Sequence, residues 1–255
     1  MFDLFLIDLD GTVYRGTELI PGADHFIAEL RRRRHKYLFL TNNSTRTPTK
    51  VAQQLKALGL PCTAREVFTS ARATAQCVAE TSVYCIGESG LTSELKKQGC
   101  ILRSENVENV VVGLDRKISY SKIATASRLI REGAKFVATN PDKMLETESG
   151  IMPGNGSILA AITAASGQEP VVIGKPNKHI ILTALQHLKT GLDKVVIVGD
   201  NIETDIAAAN NAGIRSILLL TGISQASDIK NALHTPTWQA KDYKELLWLM
   251  GMWKS

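Results

Sequence analysis

The chain has 255 residues, of which 44% are hydrophobic, enough apolar material for one large domain or two small ones. Its formal net charge is +5, a mild excess that suits an anionic substrate and is too weak to imply a nucleic-acid partner. The longest apolar runs, such as Val195 to Val198 and Ile217 to Leu220, are strand-sized and argue against a membrane span.

Taken in order, short apolar runs alternate with longer amphipathic stretches, the pattern of an α/β chain. Leu4 to Leu9 reads as a buried strand, and Gly22 to Arg34 as a helix with Phe26, Ile27 and Leu30 on one face. Tyr37 to Leu40 is the next strand. Thr47 to Leu58 follows as a helix, with Thr47 as N-cap, Pro48 at its first position and Gly59 just past its end. The middle region carries strand candidates at Val83 to Ile86, Val110 to Val112, Phe136 to Ala138 and Val171 to Ile173. Helices are expected between them at Thr92 to Gln98, Ser121 to Arg131 and Ser157 to Ser166. The last third returns to the first plan, with a helix at Lys178 to Leu188, a strand at Lys194 to Val198, a helix at Glu203 to Asn211 and a strand at Ser216 to Leu220. Trp238, Trp248 and Trp253 are expected to pack a C-terminal helix onto the sheet.

This order implies a Rossmann-like, doubly wound parallel sheet interrupted by a second α/β domain. The expected division places residues 1–80 and 174–255 in the parent domain and 81–173 in the insertion.

Chemistry collects at strand ends. Asp8-Leu9-Asp10-Gly11-Thr12 follows the first strand, and alternation sends Asp8 and Asp10 to one side. Close carboxylates call for a cation or a proton between them, and Gly11 lets the backbone turn sharply. Leu40-Thr41-Asn42-Asn43-Ser44 offers a hydroxyl, amides and backbone N–H groups ahead of a helix, which suits a phosphate or, equally, an ordinary capped turn. Gly174-Lys175-Pro176 places one cation at a helix mouth. It is not a P-loop, because Pro176 stands where Ser or Thr is required. Val198-Gly199-Asp200-Asn201-Ile202-Glu203-Thr204-Asp205 supplies hard oxygen ligands suited to Mg²⁺, although Asp205 also fits a helix first turn for dipole reasons alone. No single piece is decisive; four of them at four strand ends, with complementary chemistry, define a site.

On these motifs the sequence resembles the haloacid dehalogenase superfamily, in its NagD-like or nitrophenyl-phosphatase-like branch. Asp-Leu-Asp-Gly-Thr at 8–12, Thr41, Lys175 and the Gly199–Asp205 run stand for its four motifs, and Thr139-Asn140-Pro141-Asp142 and Pro153-Gly154-Asn155-Gly156 look like segments of its cap domain. The resemblance implies a Mg²⁺-dependent phosphatase. Asp8 would be the nucleophile and Asp10 the general acid and base. Thr41 and Lys175 would hold the phosphoryl group, helped by Gly11, Asn42 and Asn43. Asp8, the carbonyl of Asp10, Asp200 and Asp205 would form the metal site. The implied substrate is a small phosphate ester, a nucleoside monophosphate such as UMP or a sugar phosphate, with Asn140, Asp142 and the Gly154 to Gly156 loop nominated to select it. Cap surfaces mediate homodimers in some such proteins, and nothing in this sequence demands one.

Other classes fare worse. A receiver-like signalling module also gathers acids, Thr and Lys around Mg²⁺, but is about half this length and lacks an insertion. A dinucleotide enzyme would need GxGxxG after its first strand. The basic run Arg31 to Lys36 reads as a solvated helix end. Cys62, Cys77, Cys85 and Cys100 form no CxxC pair, and the start Met1-Phe2-Asp3-Leu4 lacks the look of a secretory leader, so a cytoplasmic protein with free thiols is expected.

Overall fold

A computed structural model describes residues 2–147 and 150–251. In chain order the elements are β1 (Leu4–Ile7), β2 (Tyr14–Arg15), β3 (Glu18–Leu19), α1 (Ala23–Arg32), β4 (Lys36–Thr41), α2 (Pro48–Ala57), β5 (Val67–Thr69) and α3 (Ser70–Cys77). Next come β6 (Ser82–Ile86), α4 (Ser89–Lys97), β7 (Ile101–Leu102), β8 (Asn109–Val112), α5 (Tyr120–Arg131), β9 (Lys135–Ala138), β10 (Met144–Thr147), β11 (Gly150–Pro153), α6 (Asn155–Ser166) and β12 (Val171–Val172). The chain ends with α7 (His179–Leu188), β13 (Val195–Gly199), α8 (Ala207–Ala212), β14 (Arg215–Leu219), β15 (Trp238–Ala240) and α9 (Tyr243–Leu249). Contacts divide it into two units: Met1–Thr41, Val51–Phe68 and Lys175–Ser255 in one, Asn42–Lys50 and Thr69–Gly174 in the other. Among the described residues no helix is long and apolar enough to cross a membrane.

The first unit is built on a six-stranded sheet in the order β15-β14-β13-β1-β4-β5. Its registered pairs β1–β13, β1–β4, β13–β14 and β14–β15 are parallel. Every residue of β1 and β13 is buried, as expected of strands covered on both faces. Alternation sends Phe5, Ile7, Val196, Val198, Ile217 and Leu219 into one cluster with Phe26, Ile27 and Leu30 of α1 and Tyr243 and Leu246 of α9. Leu218 points the other way, onto Ile202 and Ile206. The chain leaves β1 towards β4 and β5, and later resumes on the opposite side at β13. The strand order therefore reverses between β1 and β13, where doubly wound sheets open a crevice at the strand carboxyl ends.

The tryptophan expectation needs correcting. Trp248 is 69% exposed, and Trp238 sits on the edge strand with its ring 5.8 Å from that of Phe2. The last helix is anchored instead by Tyr243, Leu246 and Leu247, because these occupy its core-facing positions. Trp253 lies outside the described residues.

The second unit has its own parallel sheet, in the order β12-β9-β8-β6-β7, and a separate antiparallel hairpin of β10 and β11. Val110 and Val112 of β8, with Phe136 and Ala138 of β9, pack under Leu129 and Ile130 of α5 and Ile158 and Ile162 of α6. The segment 69–80 goes with this unit and not with the parent sheet's unit, as does 42–50. The reasons are local: Thr69 caps α3 by accepting from the Arg72 N–H at 3.1 Å, Arg72 pairs with the buried Glu94 of α4 at 3.1 Å, and the Gly90 N–H bonds the Thr45 carbonyl at 3.0 Å.

Candidate active site

β1 ends at Ile7, and Asp8 is the first residue beyond it, its N–H still bonded to the Val198 carbonyl at 2.9 Å. β13 runs beside β1 in register, Ile7 against Val198, so Asp200 leaves its strand next to Asp8. After Asp200 the chain makes a single π-type turn over Ile202–Ile206 before α8 begins. Asn201 caps that turn by accepting from the Glu203 N–H at 2.9 Å. The turn brings Asp205 back: its N–H donates to the Asn201 carbonyl at 2.9 Å, and its Oδ2 accepts from the Asn201 N–H at 3.2 Å.

Asp8, Asp200 and Asp205 are all buried, and each offers a carboxylate oxygen within 4.8 Å of the others. Lys175, itself only 3% exposed, stands among them. Its Nζ donates to Asp8 Oδ1, to Asp205 Oδ1 at 2.6 Å and to the Leu40 carbonyl at 3.3 Å. Asp200 is held separately, Oδ1 by the Thr12 hydroxyl at 2.9 Å and Oδ2 by the Ile223 N–H at 2.8 Å.

One ammonium faces three carboxylates, so negative charge is in excess. Burial raises the Asp8 carboxyl well above its usual range. Asp205 and Asp200 add to this, and Lys175 opposes it without prevailing. Burial, then Asp205, pushes Asp200 up to about 6, against the Ile223 N–H and the Thr12 hydroxyl. Burial alone would lower Lys175, but Asp205 and Asp8 outweigh it and keep the ammonium charged.

The donor set fits a small divalent cation. Its groups are hard carboxylate oxygens, they converge from separate strand ends, and their surplus charge calls for a positive partner that Lys175 alone does not supply. Asp8, Asp200 and Asp205 are the residues that could hold Mg²⁺.

Of the other sequence candidates, Thr41 closes β4 and is buried. Register pairs Ile7 with Phe39, so Thr41 comes one residue past the level of Asp8. Asp10 is exposed, and its side chain is not among the clustered carboxylates. Gly11 has φ +84°, a conformation that favours glycine, where a sharp turn was expected. Asn42 and Asn43 belong to the second unit. There the Asn42 amide donates to the Asp142 carboxylate at 3.1 and 3.2 Å. Asn43 Oδ1 accepts from the Thr45 N–H, the Thr45 hydroxyl and the Arg46 N–H, closing a local turn. Asn140 donates to the Asn42 carbonyl at 2.9 Å, and Asn155 donates to the Asn140 carbonyl at 2.7 Å. Sequence reasoning missed Thr12, Tyr243 and the Thr221–Ser224 loop. Thr12 lies inside the Asp8–Thr12 motif, and the loop follows a buried strand and carries a glycine, as that motif does.

A haloacid dehalogenase-like hydrolase model matches residues 5–101, and a second HAD-hydrolase-like model matches residues 172–246. The chain is 44% identical over 237 residues to a 5'-nucleotidase, YutF, of Bacillus subtilis, covering 91% of this chain and 93% of that protein. It is 41% identical over 251 residues to an acid sugar phosphatase of Staphylococcus saprophyticus, covering 96% and 97%. Among solved structures it is similar to a glycerol phosphate phosphatase from Mycobacterium tuberculosis in complex with magnesium. That likeness has a TM-score of 0.90 and 35% identity, and covers 96% of this chain and 76% of the other. The chain belongs to the haloacid dehalogenase-like hydrolases.

Proposed function

We propose that this enzyme hydrolyses small phosphate monoesters through an aspartyl-phosphate on Asp8, with Mg²⁺ bound by Asp8, Asp200, the Asp10 carbonyl and Asp205. The observation that carries the reading is the convergence of Asp8, Asp200, Asp205 and Lys175 at the sheet's switch point. When bound, Mg²⁺ supplies charge that offsets repulsion between a carboxylate nucleophile and an anionic phosphate.

The chain's own residues do the rest. A carboxylate oxygen of Asp8 attacks phosphorus, and the bond to the leaving oxygen breaks. Asp10 gives that oxygen its proton; being exposed, it can exchange protons with solvent between steps. Asp10 then takes a proton from water, the water oxygen attacks phosphorus, and the bond to Asp8 breaks to free inorganic phosphate. Lys175 and Thr41, with Gly11, hold the phosphoryl oxygens. Lys175 also keeps the Asp8 oxygen oriented for attack.

Residues 81–173, the larger part of the second unit, are assigned to substrate choice, with Asn140, Asp142 and the Gly154 to Gly156 loop as the selecting elements. Nucleoside monophosphates and sugar phosphates are the favoured classes, in keeping with the named activities of the nucleotidase and sugar phosphatase relatives. The test is a panel of such esters and nitrophenyl phosphate assayed for phosphate release with Mg²⁺ and with chelator, beside Asp8→Asn. Mg²⁺-dependent release that disappears in the variant is expected. Undiminished release by Asp8→Asn would remove Asp8 from its role.

A further inference from the structure

Asp200 is gripped on both carboxylate oxygens by groups that no motif placed in the site. Resting on the reading of Asp200 as a Mg²⁺ ligand, we propose that Thr12, braced by Tyr243, and the loop Thr221-Gly222-Ile223-Ser224 form a clamp that orients Asp200. They are positioning residues, distinct from the catalytic ones.

One jaw of the clamp is Thr12. Its hydroxyl donates to Asp200 Oδ1 at 2.9 Å, and it is wholly buried. The Thr12 carbonyl in turn accepts from the Tyr243 hydroxyl at 2.8 Å. Tyr243 is the first residue of α9 and 1% exposed, so the last helix of the chain fixes the first catalytic loop. Its phenol has no competing role there: burial raises its pKa and keeps it a neutral donor.

The loop after β14 forms the other jaw. The Ile223 N–H donates to Asp200 Oδ2 at 2.8 Å, the Ser224 N–H donates to the Asp200 carbonyl at 3.1 Å, and the Ser224 hydroxyl accepts from the Ile202 N–H at 2.9 Å. The Thr221 hydroxyl donates to the Gly11 carbonyl at 2.9 Å, tying the two jaws together. Space is as tight as the bonding. A Cβ on Gly222 would fall well inside 3.0 Å of the Asp200 carboxyl, and one on Gly11 would lie 2.5 Å from Oδ2. Only glycine at both positions leaves room for the carboxylate where its donors hold it. Each oxygen accepts one protein hydrogen bond and retains lone-pair capacity for a cation. Outer groups that fix a metal ligand's orientation set metal affinity.

The experiment is calorimetric titration of Mg²⁺, with no substrate, into the folded full chain and its variants, with far-ultraviolet circular dichroism as a folding control. Gly222→Ala is expected to weaken Mg²⁺ binding by about 10–100-fold. Thr12→Val, which keeps shape and loses the hydroxyl, is expected to weaken it by about tenfold, and Thr12→Ser to restore it to within about threefold, following the value of one charge-assisted hydrogen bond. Tyr243→Phe, one step removed, should cost about threefold. A purely structural role would lower melting temperature in Thr12→Val and Thr12→Ser alike without separating their Mg²⁺ affinities. Wild-type affinity in both Gly222→Ala and Thr12→Val, while Asp200→Ala loses binding, overturns the clamp and leaves the metal site standing. Wild-type affinity in Asp200→Ala overturns the reading beneath it. Should Gly222→Ala fail to fold, the Val and Ser pair at position 12 decides.

Discussion

Burial of the Asp200 carboxyl, with Asp205 beside it, predicts that removing its charge stabilises the metal-free protein. In the folded chain the Asp200 carboxyl titrates at about 6, against 3.8 for a free one. The folded state therefore holds this proton more tightly than the unfolded chain does, and its stability falls as pH rises from about 4 through about 6. Above that range the loss is complete. At 1.36 kcal/mol per pKa unit it amounts to about 3 kcal/mol, a large part of the few kcal/mol by which a domain is stable. In Asp200→Asn the amide oxygen can still accept from the Ile223 N–H, and the Thr12 hydroxyl can rotate to accept from the amide, so the hydrogen bonds are kept and the charge is gone. Urea unfolding with excess chelator at a series of pH values measures the difference. The variant should match the wild type near pH 4 and exceed it by about 3 kcal/mol at pH 8. A gap that does not change with pH, or a variant that is less stable throughout, would refute the reasoning that excess negative charge loads this cluster.

Three further outcomes follow from the same coordinates. Lys175→Met should lower turnover by about 10²–10³-fold and destabilise the metal-free protein by about 3–5 kcal/mol, because Asp8 and Asp205 would lose their shared cation in a dry site; kinetics and urea unfolding read both, and near-normal turnover would contradict it. Phe26→Ala, which empties the space between the Phe5 ring at 6.0 Å and the Tyr243 ring at 5.5 Å, should cost about 3–5 kcal/mol in unfolding free energy, and a loss below about 1 would show the core collapses around it. Iodoacetamide at pH 8 should modify the exposed Cys77 and spare Cys85, whose thiol burial pushes up to about 12; mass spectrometry showing the reverse order would contradict the burial assigned to them.

The site was legible because its chemistry sits at the ends of short apolar runs. Asp8 and Asp200 each follow, and Thr41 closes, an apolar run that forms a strand of the doubly wound sheet, which aligns such ends at one edge; Lys175 instead follows the short edge strand β12 of the other sheet. What sequence pattern could not carry was contact between distant segments. The helix Ser70–Cys77 escaped notice because Ala71, Ala73 and Ala75 bury little area and leave no large apolar stripe. The hairpin Met144–Thr147 with Gly150–Pro153 lacks the polar–apolar alternation of a half-buried strand, and Gly150, Ile151, Met152 and Pro153 are all exposed. The Thr12 and Ile223 bonds to Asp200 join residues 188 and 23 positions away, beyond any local periodicity. A large aromatic ring does not by itself dictate burial: helix phase puts Trp248 in solvent and Leu247 in the core.

The central claim is that Asp8 carries the phosphoryl group between two halves of one reaction. Acid quenching during steady turnover of a phosphate ester with Mg²⁺, followed by borohydride reduction and peptide mass spectrometry, reads it directly. Homoserine at position 8 is expected in the wild type and not in Asp8→Asn, with a signal that decays as substrate is exhausted. Turnover with position 8 never modified, or a modification that persists long after substrate is gone, would contradict it.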